Sequence, residues 1–174
     1  TNPMQQAHCN AMYHITKSLD NTRPVIDNDG WEHTCPDMLT IHDYEASAAV
    51  LEERYGDMDS ILAFSPGGRC LFVSGYGYDR QPVMISEFGG IQYSPDKGDG
   101  KSWGYSEAKT EGDFVERYRA IVNALLGSDF IQGFCYTQLT DIETEANGLL
   151  TYDRRPKANL DAIREITKGI IPGV

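Results

Sequence analysis

The sequence predicts an α/β protein built from parallel strand–helix units, about half the complement of an eight-stranded α/β barrel. Apolar runs that end in polar residues alternate with segments of helical periodicity, the pattern of a parallel sheet. One run, Pro82-Val83-Met84-Ile85-Ser86-Glu87-Phe88-Gly89-Gly90, is continuous and bounded by Pro and Gly, as in a strand covered on both faces. The 174 residues suffice for one core but fall short of the ~250 usual for a complete barrel.

Thr1-Asn2-Pro3 opens the first helix, a capping residue followed by Pro at the first helical position. Met4, Ala7, His8, Ala11, Met12, Ile15 and Leu19 then fall at spacings of three and four, an apolar stripe that predicts core packing. Arg23 to Asn28 reads as a short strand, turned by Asp29-Gly30 into a polar loop with Trp31 and His33. Met38 to Tyr44 is a second strand, and Ala46 to Tyr55 a helix stopped at Gly56. Ile61 to Tyr78 reads as a partly helical excursion ahead of the Glu87 strand.

Gln92 to Thr110, rich in Gly, Asp, Ser and Lys, predicts a long surface loop, a length usually kept for function. Thr110 with Asp113 resembles a capping box, and Phe114, Tyr118, Ile121, Val122 and Leu125 mark an amphipathic helix stopped by Gly127. Ile131 to Leu139 is the fourth strand. The last helix carries Leu160, Ile163 and Ile166 on one face.

Composition narrows the partners. A net charge of -11 repels phosphate, which disfavours nucleic acid and anionic membranes. No apolar run approaches the ~20 residues of a membrane span. Cys9, Cys35, Cys70 and Cys135 form no C-x-x-C pair, and His8, His14, His33 and His42 show no metal-ligand spacing. We therefore expect no metal and no cofactor. Scattered thiols fit a cytoplasmic chain and leave a periplasmic or secreted one open. Neither G-x-G-x-x-G nor the P-loop pattern occurs, so nucleotide binding lacks its phosphate cradle.

The strand ends collect Asn28 and Asp29, His42 and Tyr44, Glu87, and Gln138 and Asp141. In a parallel α/β sheet these ends lie on one side, where active sites are built. Aromatic and hydrogen-bonding side chains together suit a sugar, with its hydroxyl edges and apolar face. Satisfied strand ends use the same residue types, and spacing does not separate the two readings.

The ordered series Arg23-Pro24-Val25, His42-Asp43-Tyr44, Pro82 to Gly89, Gly133-Phe134-Cys135-Tyr136-Thr137-Gln138-Leu139-Thr140-Asp141 and Asn147 to Lys157 resembles a known family. It is similar to the C-terminal half of the catalytic TIM barrel of family 2 glycoside hydrolases, which include β-galactosidases, β-glucuronidases and β-mannosidases. The resemblance covers nearly all of residues 1–174 and implies barrel strands five to eight. It implies a retaining β-glycosidase with Glu87 as nucleophile and Tyr44 as the residue that hydrogen-bonds it. Asn28, Asp29, Trp31, His42, Thr137, Gln138 and Asp141 are the candidate sugar-binding residues.

The family's acid/base glutamate closes an Asn-Glu pair, and this sequence contains no Asn-Glu. We therefore expect a fragment whose first half-barrel and β-sandwich domains lie elsewhere, inactive in isolation. Glucuronidases carry Asn-x-Lys where this chain has Glu145-Ala146-Asn147, so the resemblance favours a neutral, β-galactoside-like substrate. Thr137 stands where many members have a sugar-packing Trp, a role that Trp31 or Trp103 could take. Two other classes remain open: a non-catalytic carbohydrate-binding module, and a homo-oligomer formed through the unpaired edges of four strands.

Overall fold

The structure, a computed structural model, describes residues 2–95 and 102–169. The centre of the predicted 92–110 loop, residues 96–101, lies outside the described residues. The chain divides into two compact units. One comprises Thr1–Asp43, Arg54–Glu87 and Asp129–Phe134; the other comprises Tyr44–Glu53, Phe88–Ser128 and Cys135–Val174.

The elements are α1 (Pro3–Leu19), β1 (Leu39–Asp43), α2 (Ala48–Arg54), α3 (Met58–Ala63), β2 (Val83–Gly89), β3 (Ile91–Gln92), β4 (Ser106–Glu107), α4 (Glu111–Leu126), β5 (Ile131–Thr137) and α5 (Leu160–Thr167). Among the described residues, the main sheet has three strands in the order β1-β2-β5, parallel and open. Helices fill the chain between them, as parallel strands require. The α/β class of the prediction stands, but the first of the four expected strands, Arg23 to Asn28, does not form. Arg23 to Asn28 is irregular because a side chain takes the place of a ladder partner: Val25 N donates to Asp37 Oδ2 (2.8 Å), and Asp37 N donates to the Val25 carbonyl (2.9 Å).

In the first unit, Leu39, Ile41, Tyr55, Ile61, Leu71, Val73, Val83 and Ile85 are buried. Asp43 is buried among them and satisfied by the Arg54 guanidinium and by Tyr55 Oη at 2.8 Å. The phenol of Tyr55 is pushed up by burial and by the Asp43 charge. Helix α1 begins as its sequence dictates. Asn2 Oδ1 accepts from Gln5 N (3.0 Å), and Gln5 Oε1 accepts from Asn2 N (2.9 Å). Its apolar stripe departs from the expectation of core packing: no residue of α1 is buried, and Met4 and Leu19 are 79% and 84% exposed. Periodicity shows that a helix has an apolar face but does not say what covers it.

In the second unit, α4 packs on α5, with Tyr118 and Thr167 hydroxyls 2.8 Å apart. Ile163 and Ile166 are buried there, whereas Leu160, expected on the same face, is exposed at the helix start. At the head of α4, Thr110 Oγ1 accepts from Asp113 N, while Asp113 reaches back to Lys109 N, one residue before the expected box partner. Within the predicted long loop, β3 and β4 form a parallel pair, Ile91 with Ser106 and Gln92 with Glu107. Gly89, at φ 86°, ends β2 where a Cβ would collide with the Tyr136 ring.

Candidate active site

The first unit holds a polar cluster whose base is Asp27. Its side chain is fully buried and accepts from His33 Nδ1 (2.9 Å), Thr34 N and Oγ1, and Cys35 N (3.1 Å). Burial pushes this carboxyl up, but the hydrogen bonds from His33 and Thr34 outweigh it and hold the pKa at about 2. His33 Nε2 donates to the Thr40 carbonyl (2.9 Å), tying the loop to β1. A segment with no strand or helix of its own is thereby hydrogen-bonded to the sheet.

That loop delivers Asp29 to the end of β1. The Asn28 amide donates to the Trp31 carbonyl (2.6 Å), closing a turn across Gly30, whose φ is 86°. Gly30 N donates to Thr40 Oγ1 (3.0 Å), and a Cβ at Gly30 would collide with the His42 ring. Only glycine allows this backbone to come so close to the imidazole. Trp31 meets the same ring edge-on, centroids 4.9 Å apart, and the Arg69 guanidinium lies 5.4 Å over Trp31 while bonded to Glu32.

Glu87, the fifth residue of β2, presents a carboxylate that is 39% exposed. His42 Nδ1 lies 3.2 Å from Glu87 Oε2, and His42 Nε2 lies 3.1 Å from Asp29 Oδ2. Ser86 Oγ donates to Asp29 Oδ1 (2.6 Å). Burial acts to raise the Asp29 carboxyl, yet hydrogen bonds from Ser86, His42 and Thr40 leave it below the usual carboxylate range. Ser86 and Thr40 were not singled out from the sequence. The available signal was a hydroxyl residue inside an otherwise buried apolar strand.

Asn28, Asp29, Trp31, His42 and Glu87 thus lie in one unit, although Asn28 spends its side chain on the turn. The other expected residues belong to the second unit. Tyr44 stacks on Tyr105, centroids 3.5 Å apart and nearly coplanar. The Thr137 carbonyl accepts from Gly90 N (3.1 Å), and the peptide that follows is cis. Gln138 Nε2 donates to Asn147 Oδ1 (2.9 Å), and Asn147 donates in turn to Glu145. Asp141 pairs with the buried Lys157 ammonium at 2.6 Å and accepts from Gly148 N (2.8 Å). Burial lowers the Lys157 pKa, against the raising effect of Asp141. Asp141 and Gln138 therefore brace the chain between residues 138 and 157.

Among the described residues, Asp29, His42 and Glu87 are the group that could hold a metal ion, their ligand atoms lying within 4.8 Å of one another. Both nitrogens of His42 already face carboxylates, so an ion would have to displace one of these contacts. A recess of about 400 Å³ lies elsewhere in this unit, lined by Asn2, Met4, His8, Cys9, Asn28 and Glu32 and not by Glu87. No helix among the described residues is long and apolar enough to cross a membrane.

The sequence profile of the glycosyl hydrolases family 2, TIM barrel domain, matches residues 1–171. Among solved structures, the chain is similar to a GH2 β-galacturonidase from Eisenbergiella tayi bound to galacturonate: TM-score 0.62, 15% identity, 97% of this chain and 31% of that one. It is also similar to a β-D-glucuronidase from Dictyoglomus thermophilum, with TM-score 0.58 and 18% identity over 95% of this chain and 28% of that one. A β-glucuronidase from Faecalibacterium prausnitzii gives TM-score 0.55 and 20% identity over 93% and 28%. The chain spans less than a third of the length of these structures. Comparison with curated protein sequences returns no match.

Proposed function

Because the chain belongs to the glycosyl hydrolases family 2, TIM barrel domain, we propose that it carries the nucleophile of a retaining β-glycosidase and that Glu87 is that nucleophile. The observation that carries this reading is Glu87 itself, a partly exposed carboxylate near the C-terminal end of a sheet strand and held at Oε2 by His42. In the first half-reaction a Glu87 oxygen bonds to the anomeric carbon while the glycosidic C–O bond breaks, and the departing oxygen takes a proton from an acid. In the second, water attacks the anomeric carbon and gives its proton to the same acid/base. The electron pair of the ester bond then returns to Glu87.

The acid/base of this scheme comes from outside the chain, whose sequence has no Asn-Glu pair. We assign the catalytic unit to a longer polypeptide in which Tyr44, on the strength of its family motif, hydrogen-bonds the nucleophile. The exposed apolar face of α1 supports a covering partner, the remainder of the barrel. The isolated chain is expected to be dimeric or larger in light scattering, and not to turn over aryl glycosides. General acid catalysis alone is worth ~10²–10⁴ in rate.

For substrate, the reading favours a neutral sugar. By the family resemblance, Glu145 occupies the stretch where glucuronidases carry Asn-x-Lys, and here it accepts from Asn147. The test uses the longer enzyme with a panel of aryl β-galactoside, β-glucoside, β-mannoside, β-glucuronide and β-galacturonide, wild type against Glu87→Gln. The reading expects a neutral glycoside to be preferred and Glu87→Gln to abolish its turnover. Near-normal activity in Glu87→Gln removes the nucleophile assignment, and a preference for a uronide removes the neutral-sugar assignment.

A further inference from the structure

We propose that Asp29, His42 and Glu87 form a hydrogen-bonded relay in which His42 is a positioning residue that orients the nucleophile and supports the charge returning to it. The inference rests on the reading of Glu87 as nucleophile. It starts from proton counting. Both nitrogens of one imidazole lie within hydrogen-bond distance of a carboxylate oxygen, Nε2 at 3.1 Å from Asp29 and Nδ1 at 3.2 Å from Glu87. An ionised carboxylate only accepts, and a neutral imidazole carries one N–H. Both contacts are hydrogen bonds only when the three groups hold two protons between them. The relay places both on His42, giving one cation between two anions.

The surroundings support that arrangement. Asp29 is braced as an anion by Ser86 Oγ at 2.6 Å and by Thr40. The imidazole is only 12% exposed, hemmed in by the close backbone of Gly30 and by the Trp31 ring. Among the described residues of this unit, Asp29 and Glu87 lie at the ring nitrogens, and Arg69, paired with Glu32, lies over Trp31. Asp29 and Glu87 come from different segments, so the relay also ties the 28–31 turn to the end of β2.

Its consequence falls unequally on the two half-reactions. When water displaces the glycosyl group, the C–O bond to Glu87 breaks and its electron pair returns to the carboxylate. A charge-assisted donor at Oε2 is worth most at that moment. In the first half-reaction the same donor holds back electron density that must attack, and its orienting benefit is partly cancelled. Loss of His42 therefore slows deglycosylation more than glycosylation.

Two measurements test this. The first is the ¹⁵N spectrum of the chain labelled at its histidines, at pH 7, with His42→Asn used to assign the ring. The relay predicts hydrogens on both His42 nitrogens, with one of them lost in Asp29→Asn, a change at a half-exposed side chain that spares the fold. A neutral, single-tautomer His42 in the wild type overturns the proposal. The second is kinetics of the longer enzyme on an activated aryl glycoside. His42→Asn is expected to lower kcat about 10- to 100-fold and kcat/KM less than ~10-fold, with a pre-steady-state burst of aryl release. Asp29→Asn moves the same way by a smaller factor. Equal loss in kcat and kcat/KM without a burst overturns the relay. Inactivity of Glu87→Gln beside that outcome leaves the nucleophile intact, whereas an active Glu87→Gln sinks the underlying reading instead.

Discussion

Acid should unfold this protein through Asp27, and the size of the effect follows from the structure. The Asp27 side chain is fully buried and its pKa falls from 3.8 to about 2 in the fold. A carboxylate with a depressed folded pKa contributes stability above its unfolded pKa and loses it as pH falls through the folded value. The difference of 1.8 units, 3.8 less about 2, corresponds to ~2.5 kcal/mol at ~1.4 kcal/mol per unit. Most of it, ~2 kcal/mol, is lost between pH 5 and pH 2. Other depressed carboxylates, Asp29 and Asp37 among them, steepen the wild-type curve, so the measurement compares two proteins. Urea unfolding of wild type and Asp27→Asn at intervals from pH 6 to pH 2 is the assay. The wild type should be more stable at pH 6, and its advantage should shrink by ~2 kcal/mol by pH 2. An advantage independent of pH would refute the reasoning, because it would mean that the fold does not favour the Asp27 charge.

Gly30→Ala should cost ~1–3 kcal/mol through its positive φ and displace His42, measured as a lower urea midpoint and a shifted His42 ring resonance. Unchanged stability would contradict the close approach of that backbone to the imidazole. Leu19→Glu, at an 84% exposed position, should change the stability of the isolated chain by no more than ~0.5 kcal/mol. A large loss would show that the α1 face is covered within the chain.

The elements that were legible in the sequence are those whose signal is local. Pro82 to Gly90 reads as a strand because its apolar run is continuous and bounded by Pro and Gly, although Met84, Ser86 and Glu87 are only half-buried in the fold; Asn2-Pro3 and Thr110 mark helix starts through their caps. Glu87 and His42 were legible as strand ends, and the family motif raised Glu87 above an ordinary acidic residue. The 23–38 segment was not legible. Its shape comes from the carboxylates of Asp27 and Asp37, which replace backbone partners with side-chain bonds to residues as far apart as Tyr13 and Cys35. No periodicity records such bonds. Asp141 looked like a sugar ligand for a related reason: only the fold shows that Lys157, 16 positions on by residue number, pairs with it.

As the proposed nucleophile, Glu87 is expected to form a covalent bond to the sugar. An activated 2-deoxy-2-fluoro-β-glycoside of the preferred sugar slows both half-reactions and lets the intermediate accumulate on the longer enzyme. Digestion and mass spectrometry then locate the sugar. A glycosyl increment is expected on the peptide containing Met84 to Gly90, at Glu87, and none in Glu87→Gln. Glycosylation of a different carboxylate, or turnover with inverted anomeric configuration and no labelled peptide, would contradict it.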